Sequence, residues 1–286
     1  MKNQMKKLLL LVCISVFLSA CGAVTEKISG ETKSGEGTKP QAGETVLFKA
    51  SAIAYNEGKV EKIDGSKYEI RSGSNIAKVD AADVYALPKS GAKNDLKAGD
   101  IVAAFANDIY WAGGEVININ GDVVEVEKAS GGKLNVAPDK VIKVSPTATA
   151  DIKQHIAAKA FEDAGKTKKP VLPKDWKPKK GEKVAAQWAF GSWHVAIIKN
   201  VNPNNIDIDW QNGWSDGTVA LDKVAPYPTS ATAMPNVNDY VIIKPQNDIS
   251  DWKFATVTAV NGQEAEVKLA DGKTQKLKAG DFIALS

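Results

Sequence analysis

One short pattern recurs four times along the chain: an aromatic residue, two variable positions, a small residue, one variable position, then a β-branched residue. It reads Tyr55-Asn56-Glu57-Gly58-Lys59-Val60, Trp111-Ala112-Gly113-Gly114-Glu115-Val116, Trp193-His194-Val195-Ala196-Ile197-Ile198 and Trp252-Lys253-Phe254-Ala255-Thr256-Val257. Upstream of each copy is a Gly or polar turn running into an apolar strand: Gly43-Glu44-Thr45-Val46, Gly99-Asp100-Ile101-Val102, Gly181-Glu182-Lys183-Val184 and Asn238-Asp239-Tyr240-Val241. Downstream come an alternating run and a closing Asp beside a hydrophobe, at Asp83, Asp139, Asp222 and Asp281. Self-similarity at such a period marks an array of small units, each one supersecondary motif.

Each unit reads as four or five short strands. Period-two alternation is plain in Val123-Val124-Glu125-Val126-Glu127 and Ile206-Asp207-Ile208-Asp209-Trp210, with turn residues at Asn120-Gly121, Asn212-Gly213, Asn261-Gly262 and Asp271-Gly272. A unit of about 45 residues has little room for a core, and closing its sheet into a barrel removes exposed edges. The bulky repeated aromatics Trp111, Trp193 and Trp252 are expected to fill those barrels. Anchor spacing is 56 residues from Tyr55 to Trp111, 82 from Trp111 to Trp193 and 59 from Trp193 to Trp252. The surplus holds an amphipathic run, Asp151 to Ala164, with Ile152, Ile156, Ala160 and Phe161 on one face. Thr149 or Asp151 is the expected cap and Gly165 the expected end; a Lys- and Pro-rich connector, Lys166 to Lys180, follows and is expected to carry few contacts. The expected architecture is all-β: four small barrels in two pairs, at 43–88 with 96–145 and 181–228 with 236–286, joined by one helix and linker over 146–180.

These units resemble the Tudor/Agenet branch of the SH3-like barrels. The shared signature is the Gly-Asp strand start, the aromatic-x-x-small-x-β-branched strand and an alternating strand before a Gly turn; it covers 43–144 and 181–286. The resemblance implies a binding module with an aromatic cage at one barrel mouth, built from the end of the first strand, the start of the second and the turn after the third. Copy three fits those positions best: Trp188, His194, Trp210 and Trp214, with Asp216 as a polar partner. His194 stands where the family has an aromatic, which argues against a methylamine cage and leaves a protein, peptide or glycan partner.

The first residues carry an address. Lys2, Lys6 and Lys7 precede an apolar run, Leu8 to Leu18, too short for a membrane span, which ends in Leu18-Ser19-Ala20-Cys21. This resembles the bacterial lipoprotein signal and implies cleavage after residue 20, lipidation of Cys21, and a polar tether over 21–42. The implied partner is a membrane, through the lipid; the implied location is the cell envelope, with Gly22 in place of a retention Asp favouring the outer membrane.

Composition excludes much else. Charged residues are 25% and hydrophobic residues 43%, outside the disordered range. Both cysteines lie in the first 21 residues and there are two histidines, too few for a usual His/Cys metal centre or a Cys nucleophile. Arg71 is the only arginine, a poor start for nucleic-acid readout, and no Gly-rich phosphate loop opens a helix. Neither a cofactor nor nucleic acid is therefore expected. Three function classes are left: a non-catalytic binding or scaffolding lipoprotein, a surface adhesin for host or matrix ligands, and an envelope hydrolase. The hydrolase needs Asp207, Asp209 and His194 to converge.

Overall fold

A computed structural model describes residues 39–91, 95–107 and 110–286. Cys21, the lipobox and most of the tether lie outside them. The described residues are all-β apart from one long helix and short 3-10 turns. Barrel 1 comprises β1 (Thr45–Lys49), β2 (Ala54–Asp64), β3 (Lys67–Ser72), β4 (Asn75–Asp80) and β5 (Val84–Ala86). Barrel 2 comprises β6 (Ile101–Asn107), β7 (Tyr110–Asn120), β8 (Val123–Lys128), β9 (Lys133–Val136) and β10 (Val141–Lys143). After helix α1 (Pro146–Lys166), barrel 3 has β11 (Lys183–Gln187), β12 (Trp193–Val201), β13 (Asn205–Trp210), β14 (Gly217–Ala220) and β15 (Val224–Pro226). Barrel 4 has β16 (Tyr240–Ile243), β17 (Lys253–Asn261), β18 (Glu264–Leu269), β19 (Thr274–Lys278) and β20 (Phe282–Leu285). In every barrel the first four strands pair antiparallel in succession and the fifth returns to the first.

The repeat is explained by three local devices. The turn residue before the first strand takes a left-handed φ, at Gly43, Gly99, Gly181 and Asn238. Its N–H donates to the carbonyl of the β-branched residue that ends the pattern: Val60, Val116, Ile198 and Val257, at 2.7–2.8 Å. Gly adopts this φ freely and Asn tolerates it, which is why Asn238 replaces Gly in the fourth copy. The acid that follows accepts a backbone N–H three residues back, as Asp100 does from Lys97 and Glu182 from Lys179. Finally, each second strand has a register shift just past the β-branched residue, at Val60/Lys62, Val116/Asn118, Ile198/Asn200 and Val257/Ala259. A bulge bends and twists a strand, and here it does so where the sheet must fold over.

The position of the repeated aromatic corrects the sequence expectation. It stands three positions before the small residue, and an odd spacing on a strand means opposite faces. The small and β-branched residues point into the barrel; the aromatic points out. Barrel 1 is filled by Val46, Phe48, Val60, Tyr68 and Ile70, and Tyr55 is absent from that group. Tyr55 and Trp111 instead meet Leu47, Ile101 and Ala103 in a seam between barrels 1 and 2. Trp193 and Trp252 meet Ala185, Val195, Ile242 and Ile283 in a matching seam between barrels 3 and 4. First strands are thus buried on both faces, which explains their unbroken apolar runs. In the first pair β2 also hydrogen-bonds β7 across the seam, Tyr55 opposite Trp111, and Trp111 Nε1 donates to Glu57 at 2.9 Å. Val195 holds the place of Glu57 in the second pair, and Trp252 Nε1 is left without a partner.

Inside the barrel the small residue is a clearance requirement. A Cβ on Gly114 would sit 2.3 Å from the Glu127 carbonyl oxygen and 2.9 Å from Val126 Cγ1. Backbone cannot yield as a flexible side chain can, so Gly114→Ala is expected to cost ~1–3 kcal/mol, read as a lower urea midpoint at unchanged slope.

α1 begins earlier than the periodicity placed it. Ser145, not Thr149 or Asp151, is the cap: its Oγ accepts from Ala148 N at 3.2 Å, and Pro146 fills the first helical position, where its missing N–H costs nothing. Asp151 instead pairs with Lys49 at 2.5 Å. Ala148 and Ile152 are buried on the first seam. Phe161 stacks on Tyr240 at 5.1 Å, and Gly165 lies against Phe254 of the second pair. The helix runs one residue past Gly165, to Lys166. The connector is not free of contacts. Lys169 exchanges backbone hydrogen bonds with Ser286, and Val171 N donates to Ala284 O, so Lys169–Val171 lies along β20 as a further strand. Its Trp176 packs against the barrel-3 interior and donates to Glu182 at 2.8 Å.

Candidate functional site

β11 ends at Gln187, whose buried amide donates to the carbonyls of Lys166, at 2.9 Å, and Gly191, at 3.2 Å. The short loop after it is thereby tied to the C-terminal end of α1. That loop presents Trp188, 39% exposed, and Phe190, 87% exposed. Phe190 sits at φ 66, a conformation that costs a bulky residue of order 1 kcal/mol or more and that clusters at functional sites. Across the barrel mouth β13 ends at Trp210. The Gln211-Asn212-Gly213 turn follows, and Trp214 emerges 40% exposed with its N–H on Asn212 Oδ1 at 3.2 Å.

The structure brings together four of the five predicted groove residues as rings in contact. Trp188 and Trp214 lie 4.4 Å apart at 46°, His194 is 4.7 Å from Trp214, and Trp210 stands edge-on to His194 at 5.8 Å. Phe190 joins them edge-on to Trp188 at 5.9 Å, and among the described residues every aromatic contact outside this cluster is an isolated pair. The rings do not enclose a cage. Centroids 4.4 Å apart are in van der Waals contact, so nothing sits between Trp188 and Trp214. Trp210 and His194 are buried, with Trp210 part of the barrel-3 interior, so they support the exposed pair from beneath. The open space lies to the side, a cavity of about 680 Å³ bounded by Trp188, Trp214, Asp216, Lys223 and β14. Asp216 is ion-paired with Lys199 on its rim. The sequence reading missed Gln187, Lys223 and β14 itself; the Gly217-Thr218-Val219-Ala220 run gives no signal beyond a short strand.

His194 is the one buried titratable group here. Its Nε2 is 2.9 Å from Ser192 Oγ, and its Nδ1 is 3.3 Å from Asp251 Oδ1 without the alignment of a hydrogen bond. Burial pushes the imidazole below its ordinary 6.5, against the opposing pull of the Asp251 charge. The unfolded chain therefore binds this proton at higher pH than the folded one. The stability tied to neutral His194 is complete above 6.5 and is lost as pH falls below it. Denaturation midpoints should drop as pH falls below 6.5, with a shallower drop in His194→Gln.

The three residues required of a hydrolase are not brought together. Ile206, Ile208 and Trp210 point into the barrel, so Asp207 and Asp209, alternating with them, point out. Asp207 is held by Thr218 at 2.9 Å and Asn202 at 3.2 Å on that outer face, and His194 lies inward. Among the described residues no group of three or more His, Cys, Asp and Glu side chains is placed to hold a metal ion. None of the described helices is long and apolar enough to cross a membrane.

No protein-family model and no curated protein matches the chain. Solved structures with similar parts include Arabidopsis thaliana AGDP1 AGD34, 20% identical with a TM-score of 0.27 over 35% of this chain and 79% of that one. The tandem Agenet domains 3-4 of ADCP1 are 24% identical with a TM-score of 0.25, over 35% of this chain and 77% of that one. The four MBT repeats of Drosophila melanogaster Sfmbt are 11% identical with a TM-score of 0.16, over 86% of this chain and 88% of that one. Scores so low extend no property of those proteins to this one. What this chain's own strand pairings establish is an array of four five-stranded, SH3-like barrels.

Proposed function

We propose that the chain is a non-catalytic, lipid-anchored envelope protein that holds a protein, peptide or glycan partner in the barrel-3 groove. The observation carrying this is the exposed Trp188–Trp214 pair beside an open cavity, next to a strained and fully presented Phe190. Exposed aromatics grouped at one concave place mark binding surfaces, and Trp is one of the residues enriched among binding hot spots. The Leu18-Ser19-Ala20-Cys21 box supports the anchor, and Gly22 after it supports the outer membrane. Cys21→Ala is expected to release the protein from membranes or leave an unprocessed precursor of larger size. Unchanged fractionation and unchanged gel mobility would refute the anchor. The groove is tested by partner capture from envelope membranes in wild type against Trp188→Ala and Trp214→Ala.

A further inference from the structure

A cavity over the face of a strand is lined by every second residue, because successive side chains point to opposite sides. The barrel-3 cavity is lined by every residue from Trp214 to Ala220. It therefore runs along the edge of β14. Among the described residues that edge is unpaired: β14 bonds β13 on one side and ends its five-stranded sheet on the other. An open edge presents a row of N–H and C=O groups, a template for another strand.

The molecule already uses this device on itself. Lys169–Val171 lies along β20 of barrel 4 through three backbone hydrogen bonds of 2.8–3.0 Å, with Pro170 opposite Leu285. Among the described residues no such segment covers β14. The groove's charge is also uneven. Asp216 is neutralised by Lys199, whereas Lys223 has no ion-pair partner among the described residues. Lys223 is the lining's unpaired charge, a positive one that an acid complements, whereas Asp207 and Asp209 act on Lys199 beside Asp216.

On the reading of this groove as the recognition site, we infer that its occupant is an extended, acid-bearing peptide segment. The segment adds to the edge of β14 as a further strand. Trp188 and Trp214 cover one of its side chains, and Lys223 pairs with its carboxylate. A glycan would stack on the same rings but would form no ladder with β14.

The test uses the full-length protein in detergent micelles. It is panned against a random linear peptide library and titrated separately with peptidoglycan-derived oligosaccharides. Selected peptides are expected to share an acidic residue. Backbone N-methylation scanned along one of them should abolish binding at alternate positions, since every second N–H of an added strand faces its neighbour. Trp188→Ala should weaken binding by about 30-fold or more. Lys223→Gln should weaken the acidic peptide and leave its amide analogue unchanged. Tolerance of N-methylation at every position would overturn the added strand. Oligosaccharide binding that depends on Trp188, with no peptide selected, would overturn the peptide and leave the groove standing. If neither probe binds, the groove's role falls as well.

Discussion

Trp193→Ala is expected to unfold the second barrel pair. The ring is fully buried in the seam between barrels 3 and 4, among Ala185, Val195, Ala225 and Ile242. Its carbonyl accepts the Trp252 N–H at 3.2 Å, so the two strands are pinned where the rings pack. Truncating a buried Trp costs ~3–5 kcal/mol through lost transfer energy and the cavity left behind. That is a large part of the ~5–15 kcal/mol that holds a domain together. The indole N–H has no partner, so packing is what is lost. Trp193→Phe should accordingly recover much of the stability, because it keeps most of the ring and removes an unsatisfied donor. Urea denaturation followed by near-UV circular dichroism reads both variants. A wild-type midpoint for Trp193→Ala would show that the seam does not hold the pair together.

Trp188→Ala and Trp214→Ala should behave in the opposite way. Both rings are about two-fifths exposed, and neither belongs to the barrel-3 interior. Substitutions at such places commonly change stability by ~0.5 kcal/mol, whereas a Trp that anchors a partner costs ~2 kcal/mol or more of binding. Wild-type melting with lost capture is the expected pair of readings. Trp210→Ala cannot make this separation, because Trp210 is buried among Ala186, Ile198 and Ile208 and its loss empties the barrel. If both exposed variants melt far below wild type, the rings are structural and the groove is not the binding site.

The strands were legible because their determinants are local. A left-handed turn residue, an acid one position later and a two-residue alternation are all written within a few positions of each other. The seams were less legible. A Trp in a barrel interior and a Trp on its outer face both read as a large apolar residue on a strand. Only the odd spacing from Trp111 to Gly114, or from Trp193 to Ala196, separates the two cases. The helix start was hidden by Pro146, whose capped first-turn role looks in sequence like a break. The connector misled through composition: lysines and prolines signal exposure, yet the contacts that fix Lys169 and Val171 are made by backbone, which composition does not report. At the groove, the aromatics were found from their positions beside turns, but Trp210 shared that position and turned inward. Lys223 and the β14 edge had no signature, since an unpaired edge is a property of the whole sheet.

α1 has a consequence for how the protein may be dissected. Its first half is wedged into one seam through Ala148 and Ile152, and its last turns rest on Tyr240 and Phe254 of the other pair. Any cut that frees one pair from the other strips a lid of side chains from an apolar furrow, or leaves the helix with one greasy flank uncovered. Halves made this way would adhere to each other and to unrelated proteins, and a binding assay on them would report that stickiness. The fourfold repeat records how the chain is built; it is no guide to where the chain may be divided.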